Sequence, residues 1–120
     1  MIKRFTIYAI PEGRDAEEWW DYHINVHAVD IVNAAGPGLK KYLITRIKEA
    51  TMRTDNIFGK QRYFAYNELW FENEETMNKS YNAVLNTKLP NGKTVSEDFW
   101  SRLSEGFTSV VEEHVIKDTT

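Results

Sequence analysis

The run Ile2 to Ile10 alternates, most plainly at Arg4-Phe5-Thr6-Ile7, and β-branched and aromatic side chains dominate it. That period of two predicts a strand, which Pro11-Glu12-Gly13 closes. Asp15 with Glu18 three residues on has the form of a capping box. From about Ala16 to Ala34 the period becomes helical, and Gly36-Pro37 is a normal helix stop. Leu39 to Lys48 predicts a second strand and Tyr63 to Phe71 a third. Asn73 caps a helix through about Leu85, and Pro90-Asn91-Gly92 makes a turn. Thr94 with Glu97 is another capping box, opening a short helix with Phe99, Trp100 and Leu103 on its apolar side. Gly106 ends that helix, and Ser109 to Ile116 predicts the last strand. The order β-α-β-β-α-(α)-β is the split βαβ pattern of an α+β, ferredoxin-like fold with a four-stranded antiparallel sheet. No repeat or low-complexity segment divides residues 1–120, so one domain is expected. The stretch Glu49 to Arg62 is polar and long for a connection, and is either a lid or a disordered tip.

The strands raise a second expectation. In the first, Phe5, Ile7 and Ala9 share one face, with Ile2, Tyr8 and Ile10 on the other. In the third, Phe64, Tyr66 and Trp70 oppose Tyr63, Ala65, Leu69 and Phe71. Both faces look covered, yet helices can cover only one. A second copy of the chain is the simplest cover, giving a homodimer with two sheets packed face to face. The alternative is a monomer with partly wet Tyr and Trp edges.

Composition narrows the classes. Sixteen aromatic residues are a high load for 120 residues, and such rings fill a core or line a binding surface. The formal charge is −3 with scattered Lys and Arg, so no basic stripe marks a nucleic-acid partner. No signal peptide or membrane span is read, and none of the residues is Cys. That rules out disulfides and thiolate catalysis and favours the cytoplasm only weakly.

The chemistry concentrates on the first helix. At about 100° per residue, Trp20, Ile24, His27 and Ile31 fall on one stripe, with His23 at its edge and Asp30 on the same flank. His27 can therefore meet His23 or Asp30. Apolar surroundings keep an imidazole neutral and a neighbouring carboxylate fixes its tautomer, a combination suited to a general acid/base. A core histidine bonded to a backbone carbonyl is the ordinary alternative. Histidines at i,i+4 also invite a metal reading. However, residue 24 is Ile where the zincin pattern has Glu, and a third ligand would have to be Asp30, Glu68 or His114. No metal is expected.

The run Trp20-Asp21-Tyr22-His23-Ile24-Asn25-Val26-His27-Ala28, then Gly36-Pro37-Gly38-Leu39-Lys40-Lys41-Tyr42, resembles the EthD-like pattern of an aromatic, a His-Ala, a Pro-Gly-Leu and a Tyr. Asn67-Glu68-Leu69-Trp70-Phe71-Glu72 is similar to that family's third strand. Ala28 is followed by Val29 where the family commonly has Pro. The resemblance implies a dimeric α+β barrel with its pocket between sheet and helices. It also implies cofactor-independent lyase or isomerase chemistry on a small aromatic, lactone or polyketide-like compound, with His27 as the helix histidine and Tyr42 as the tyrosine after Gly-Leu.

On that reading His27 moves the proton and His23 or Asp30 orients it. Tyr8 and Tyr42 hydrogen-bond a carbonyl or enolate oxygen, Trp20 and Trp70 form walls, and Glu68 is a second acid/base candidate. A cofactor-free monooxygenase of the same barrel type and a non-catalytic binding or assembly module are the alternatives. Tyr81, Phe99 and Trp100 are assigned to core.

Overall fold

A computed structural model describes residues 1–48 and 61–120. Four strands, β1 (Ile2–Ala9), β2 (Leu39–Arg46), β3 (Ala65–Phe71) and β4 (Glu105–Val111), form one antiparallel sheet in the order β2-β3-β1-β4. Helices α1 (Ala16–Tyr22), α2 (Ala28–Ala35), α3 (Glu74–Asn86) and α4 (Val95–Trp100) connect them. This is the ferredoxin-like α+β arrangement that the element order predicts.

The caps form where expected, because short polar side chains satisfy the free amides at helix starts. Asp15 accepts from the amides of Glu17 and Glu18, Asn73 from Thr76, and Thr94 from Glu97. Gly36 takes φ of +69° at the end of α2, a conformation open to a residue without a Cβ. The question of a lid at 49–62 lies almost wholly outside the described residues.

Pairing registers assign the faces. Ile2, Arg4, Thr6 and Tyr8 share the helix-side face with Phe71, Leu69, Asn67 and Ala65. One core, built on Ile31, Ala35, Leu69, Phe71, Met77, Val84 and Val95, lies under α2 and α3. An aromatic one, built on Tyr8, Trp19, Ala65 and Phe99, lies under α1 and α4. The opposite face carries Phe5, Ile7, Leu43, Tyr66, Trp70 and Phe107, and no helix of the described residues lies over it. There Leu43 is 41% and Phe107 51% exposed.

The last strand departs from the sequence reading: it is Glu105–Val111, and His114 lies beyond it, exposed. Gly106 pairs with Tyr8 inside the strand and does not end a helix. A Cβ there would sit 2.8 Å from a Trp100 ring atom and 3.1 Å from the Ile7 carbonyl oxygen. The glycine leaves room for the indole against the strand, a reason that no turn pattern reveals. Gly106→Ala should destabilise the protein by about 1–3 kcal/mol through overpacking, as read by the denaturation midpoint.

Candidate functional site

The helical segment Ala16–Ala35 is one continuous run interrupted by a π turn at His23–His27. The Ala28 amide reaches back five residues to the His23 carbonyl. The buried residues are Trp19, His23, His27, Ile31 and Ala35, each four positions after the last. A regular α-helix would drift about 40° at every such step. The π turn accommodates one extra residue and resets the stripe.

This corrects the stripe read from a uniform 100° period. Upstream of the turn the frame is displaced by one, so Trp19 and His23 point inward. Ile24 is 36% exposed and Trp20 half-buried, while His23, assigned to the edge, has no exposed surface. Since the extra residue sits in a turn that α geometry would close without it, deletion of exposed Asn25 should leave the same stripe buried. A stability change within about 1 kcal/mol is expected. Deleting Asn33 from the regular α2 instead turns one end by about 100° and should unfold the chain. Paired melting curves of the two deletions check this.

The two histidines sit in different settings. His23 stacks on Trp19, with centroids 5.1 Å apart and planes 18° apart. The Tyr8 hydroxyl lies 3.3 Å from its Nε2 and 3.5 Å from its Nδ1. Burial pushes His23 down to about 4, and the neighbouring Asn67 side chain works weakly the other way. His27 stacks on Phe99 at 4.1 Å and 12°, is 3% exposed, and makes no hydrogen bond to any described residue. Burial pushes it down to about 3; the His23 and Arg102 charges add to this, and Asp98 opposes it. Both rings are therefore neutral at pH 7.

His27 lines a cavity of about 40 Å³ between the sheet and the helices, with Thr6, Tyr42, Asn67, Tyr81, Phe99 and Trp100 among the other walls. That is room for about two or three water molecules, so a ring-sized ligand must displace lining side chains. Asn67 is buried on β3, and its Oδ1 has no hydrogen-bond partner among the described residues. Burial raises the Tyr42 hydroxyl above its ordinary range, so it remains a donor. Thr6 pairs with Asn67 on one side and Thr108 on the other, and its hydroxyl bonds that of Thr108 at 3.0 Å. A polar band of Asn67, Thr6 and Thr108 thus crosses the helix-side face of the sheet.

The other expected site residues are distributed differently. Tyr8 is fully buried behind the cavity and contacts His23. Trp20 lies outside it, under the Arg46 guanidinium at 5.7 Å. Asp30 faces a surface crevice with Asn91 and Arg102 and makes no hydrogen bond to His27. Glu68 and Trp70 are on the opposite sheet face, where Lys3 bonds Glu68 at 2.7 Å and lies over the Trp70 ring.

The buried carboxylate near His27 is Asp98, which the sequence reading passed over. It accepts from the Tyr22 hydroxyl at 2.7 Å, Asn91 at 3.1 Å and Arg102 at 3.3 Å. Burial disfavours its charge, but these donors outweigh burial and hold the carboxyl below its usual range. Among the described residues, no three His, Cys, Asp or Glu side chains converge as a metal site would require.

Two layers, four antiparallel strands and a cavity between sheet and helices define a ferredoxin-like α+β protein. Within that class the chain has the fold of EthD-like proteins. It is similar over 95% of its length to 99% of an EthD family protein from Bacillus halodurans, with a TM-score of 0.67 and 21% identity. An EthD-like protein from Ralstonia eutropha matches with a TM-score of 0.64 and 13% identity, over 97% of this chain and 94% of that one. A dimeric ferredoxin-like protein from an uncultured marine organism matches at 0.59 and 11%, over 98% and 92%. No family model and no curated protein sequence matches.

Proposed function

We propose that this chain is a cofactor-independent lyase or isomerase that moves a proton on a small cyclic aromatic, lactone or polyketide-like compound. The observation that carries the reading is His27: a buried, neutral imidazole with no hydrogen bond to a described residue, turned toward a cavity. A structural core histidine would have its ring nitrogens satisfied. In this reading His27 takes a proton from a carbon next to a carbonyl, and the Tyr42 hydroxyl donates to the oxygen where negative charge develops.

The depressed basicity of His27 sets a condition on this step. A base pushed to about 3 in the ligand-free protein must gain basicity from the negative charge forming beside it. Asp98 on the far side supports the resulting imidazolium. His23, held by Tyr8 and Trp19, positions His27 without touching the cavity. Asp30 has no part in the step as the geometry stands.

The test is solvent deuterium incorporation into a panel of cyclic β-keto and lactone compounds, followed by NMR. His27→Gln should reduce exchange by about 10²–10⁴-fold, with ligand affinity changing far less. Unchanged exchange and affinity in both His27→Gln and His27→Ala would overturn the reading and favour a binding or assembly module. Oxygen uptake with a quinol substrate would instead favour the monooxygenase alternative.

The open sheet face supports a homodimer. Phe5, Ile7, Leu43, Tyr66, Trp70 and Phe107 form an apolar surface that no helix of the described residues covers, and a second sheet laid on it would bury these side chains.

A further inference from the structure

We propose that Arg4 is an anion-recognition residue of this cavity, and that the ligand is a flat ring carrying a single carboxylate. The inference rests on the cavity reading above and adds the class of compound. Arg4 lies on the helix-side face of β1, paired with Leu69 and Val110. Its guanidinium stacks on the Tyr81 ring at 4.1 Å, and Tyr81 is a cavity wall. One terminal nitrogen makes a long 3.5 Å bond to the Thr108 hydroxyl, which in turn bonds cavity-lining Thr6.

Among the described residues the charge of Arg4 is unanswered. Lys3, Arg46, Arg62 and Arg102 each hold a carboxylate, whereas none lies within ion-pair distance of Arg4 among the described residues. Its Nε is buried without a partner among the described residues. Leaving a buried donor of a charged group unpaired is costly, so such an arrangement points to a counter-charge that arrives from outside. Val110, its neighbour on the same face, is half-exposed, so this side of the sheet is open to solvent.

The same geometry selects the anion. A guanidinium matches a carboxylate through paired N–H donors. A phosphate's second charge would call for another cation. Among the described residues, Lys3 faces the other side of the sheet and Arg102 is held by Asp98, so neither supplies it. The rings of Tyr81, Phe99 and Trp100 line the cavity with His27, and Tyr81 carries the Arg4 guanidinium over its ring; such walls suit a flat ring in preference to a flexible chain. Asn67, whose Oδ1 has no hydrogen-bond partner among the described residues, is available to a donor group on that ring.

The test compares 2-naphthoate with its methyl ester by NMR titration of the wild-type protein, Arg4→Met and Arg4→Lys. Wild type should bind the acid at least tenfold more tightly than the ester. Arg4→Met should lose that preference and leave ester affinity unchanged, and Arg4→Lys should retain part of it. The wild-type comparison needs no variant, so misfolding of Arg4→Met cannot hide the answer. Equal or tighter binding of the ester by wild type overturns the assignment of Arg4 and leaves the cavity reading standing. So does a preference kept in a folded Arg4→Met. Binding of neither compound up to its solubility limit overturns both.

Discussion

Between pH 8 and pH 5 the folded state should lose about 4 kcal/mol of stability, before any buried carboxylate titrates. An unfolded chain carries two ordinary histidines in place of His23 and His27, and these begin to bind protons near pH 6.5. In the fold the same rings are held at about 4 and about 3. Above pH 6.5 both states are neutral and the burial is without penalty. Below it only the unfolded state gains protons, so stability falls by about 1.4 kcal/mol per pH unit for each ring. The loss continues until the folded rings themselves protonate, near pH 4 and pH 3. The carboxyl of Asp98, held below its ordinary range, contributes only in stronger acid. Urea unfolding at pH 8, 6 and 5 reads the slope directly, and His27→Gln should halve it. A pH-independent midpoint across this range would mean that the two rings are not buried as described.

Phe107→Asp should convert a dimer to a monomer at micromolar concentration without unfolding the chain. Phe107 is half-exposed on an edge strand, on the sheet face opposite the described helices, so in a lone copy the aspartate would sit in water at little cost. In a face-to-face pair a two-fold axis repeats the change, placing two unpaired carboxylates in an apolar contact. Burying each without a partner costs several kcal/mol, enough to shift the dissociation constant by more than about 1,000-fold. Light scattering coupled to size exclusion checks both halves of the statement. A wild-type monomer at 100-micromolar concentrations (about 10⁻⁴ M, where an obligate pair stays associated), or a variant that stays dimeric, would remove the sheet face from the interface.

Much of the fold was legible because local and global preferences agree. Asp15, Asn73 and Thr94 announce helix starts and occupy them, and the period-two runs place the first three strands to within about two residues. The last strand was misplaced because Gly106 was read for its conformational freedom, when its purpose is to admit Trp100. The site was legible in part. His27 stood out as a polar residue on an apolar helix face and does line the cavity. Its true neighbours were obscured by a single π turn, whose one-residue displacement exchanges Trp20 and Ile24 for Trp19 and His23. No periodicity analysis at fixed angle can register that displacement.

Residues brought in by other elements were harder to see. Asn67 carried a usable signal, a lone amide between Ala65 and Leu69 on the inward face of a strand. Asp98 did not, since a carboxylate in the first turn of a capped helix is ordinary, and only the approach of Tyr22 and Arg102 makes it a buried charge. Tyr81, Phe99 and Trp100 show helical spacing typical of packing. They are packing residues that also wall a cavity, and sequence spacing does not separate the two roles. Glu68 and Trp70 were joined to the site by their place on a central strand, but strand parity puts them on the opposite face.

Nitrogen-15 NMR of the histidine ring nitrogens tests the central claim most directly, because it reports protonation and hydrogen bonding at His27 itself. His27 should remain neutral from pH 8 down to pH 5, and its unprotonated nitrogen should shift when an aromatic carboxylate saturates the protein. A His27 that titrates near pH 6.5, or whose ring signals ignore a bound ligand, would contradict a buried imidazole facing the binding cavity.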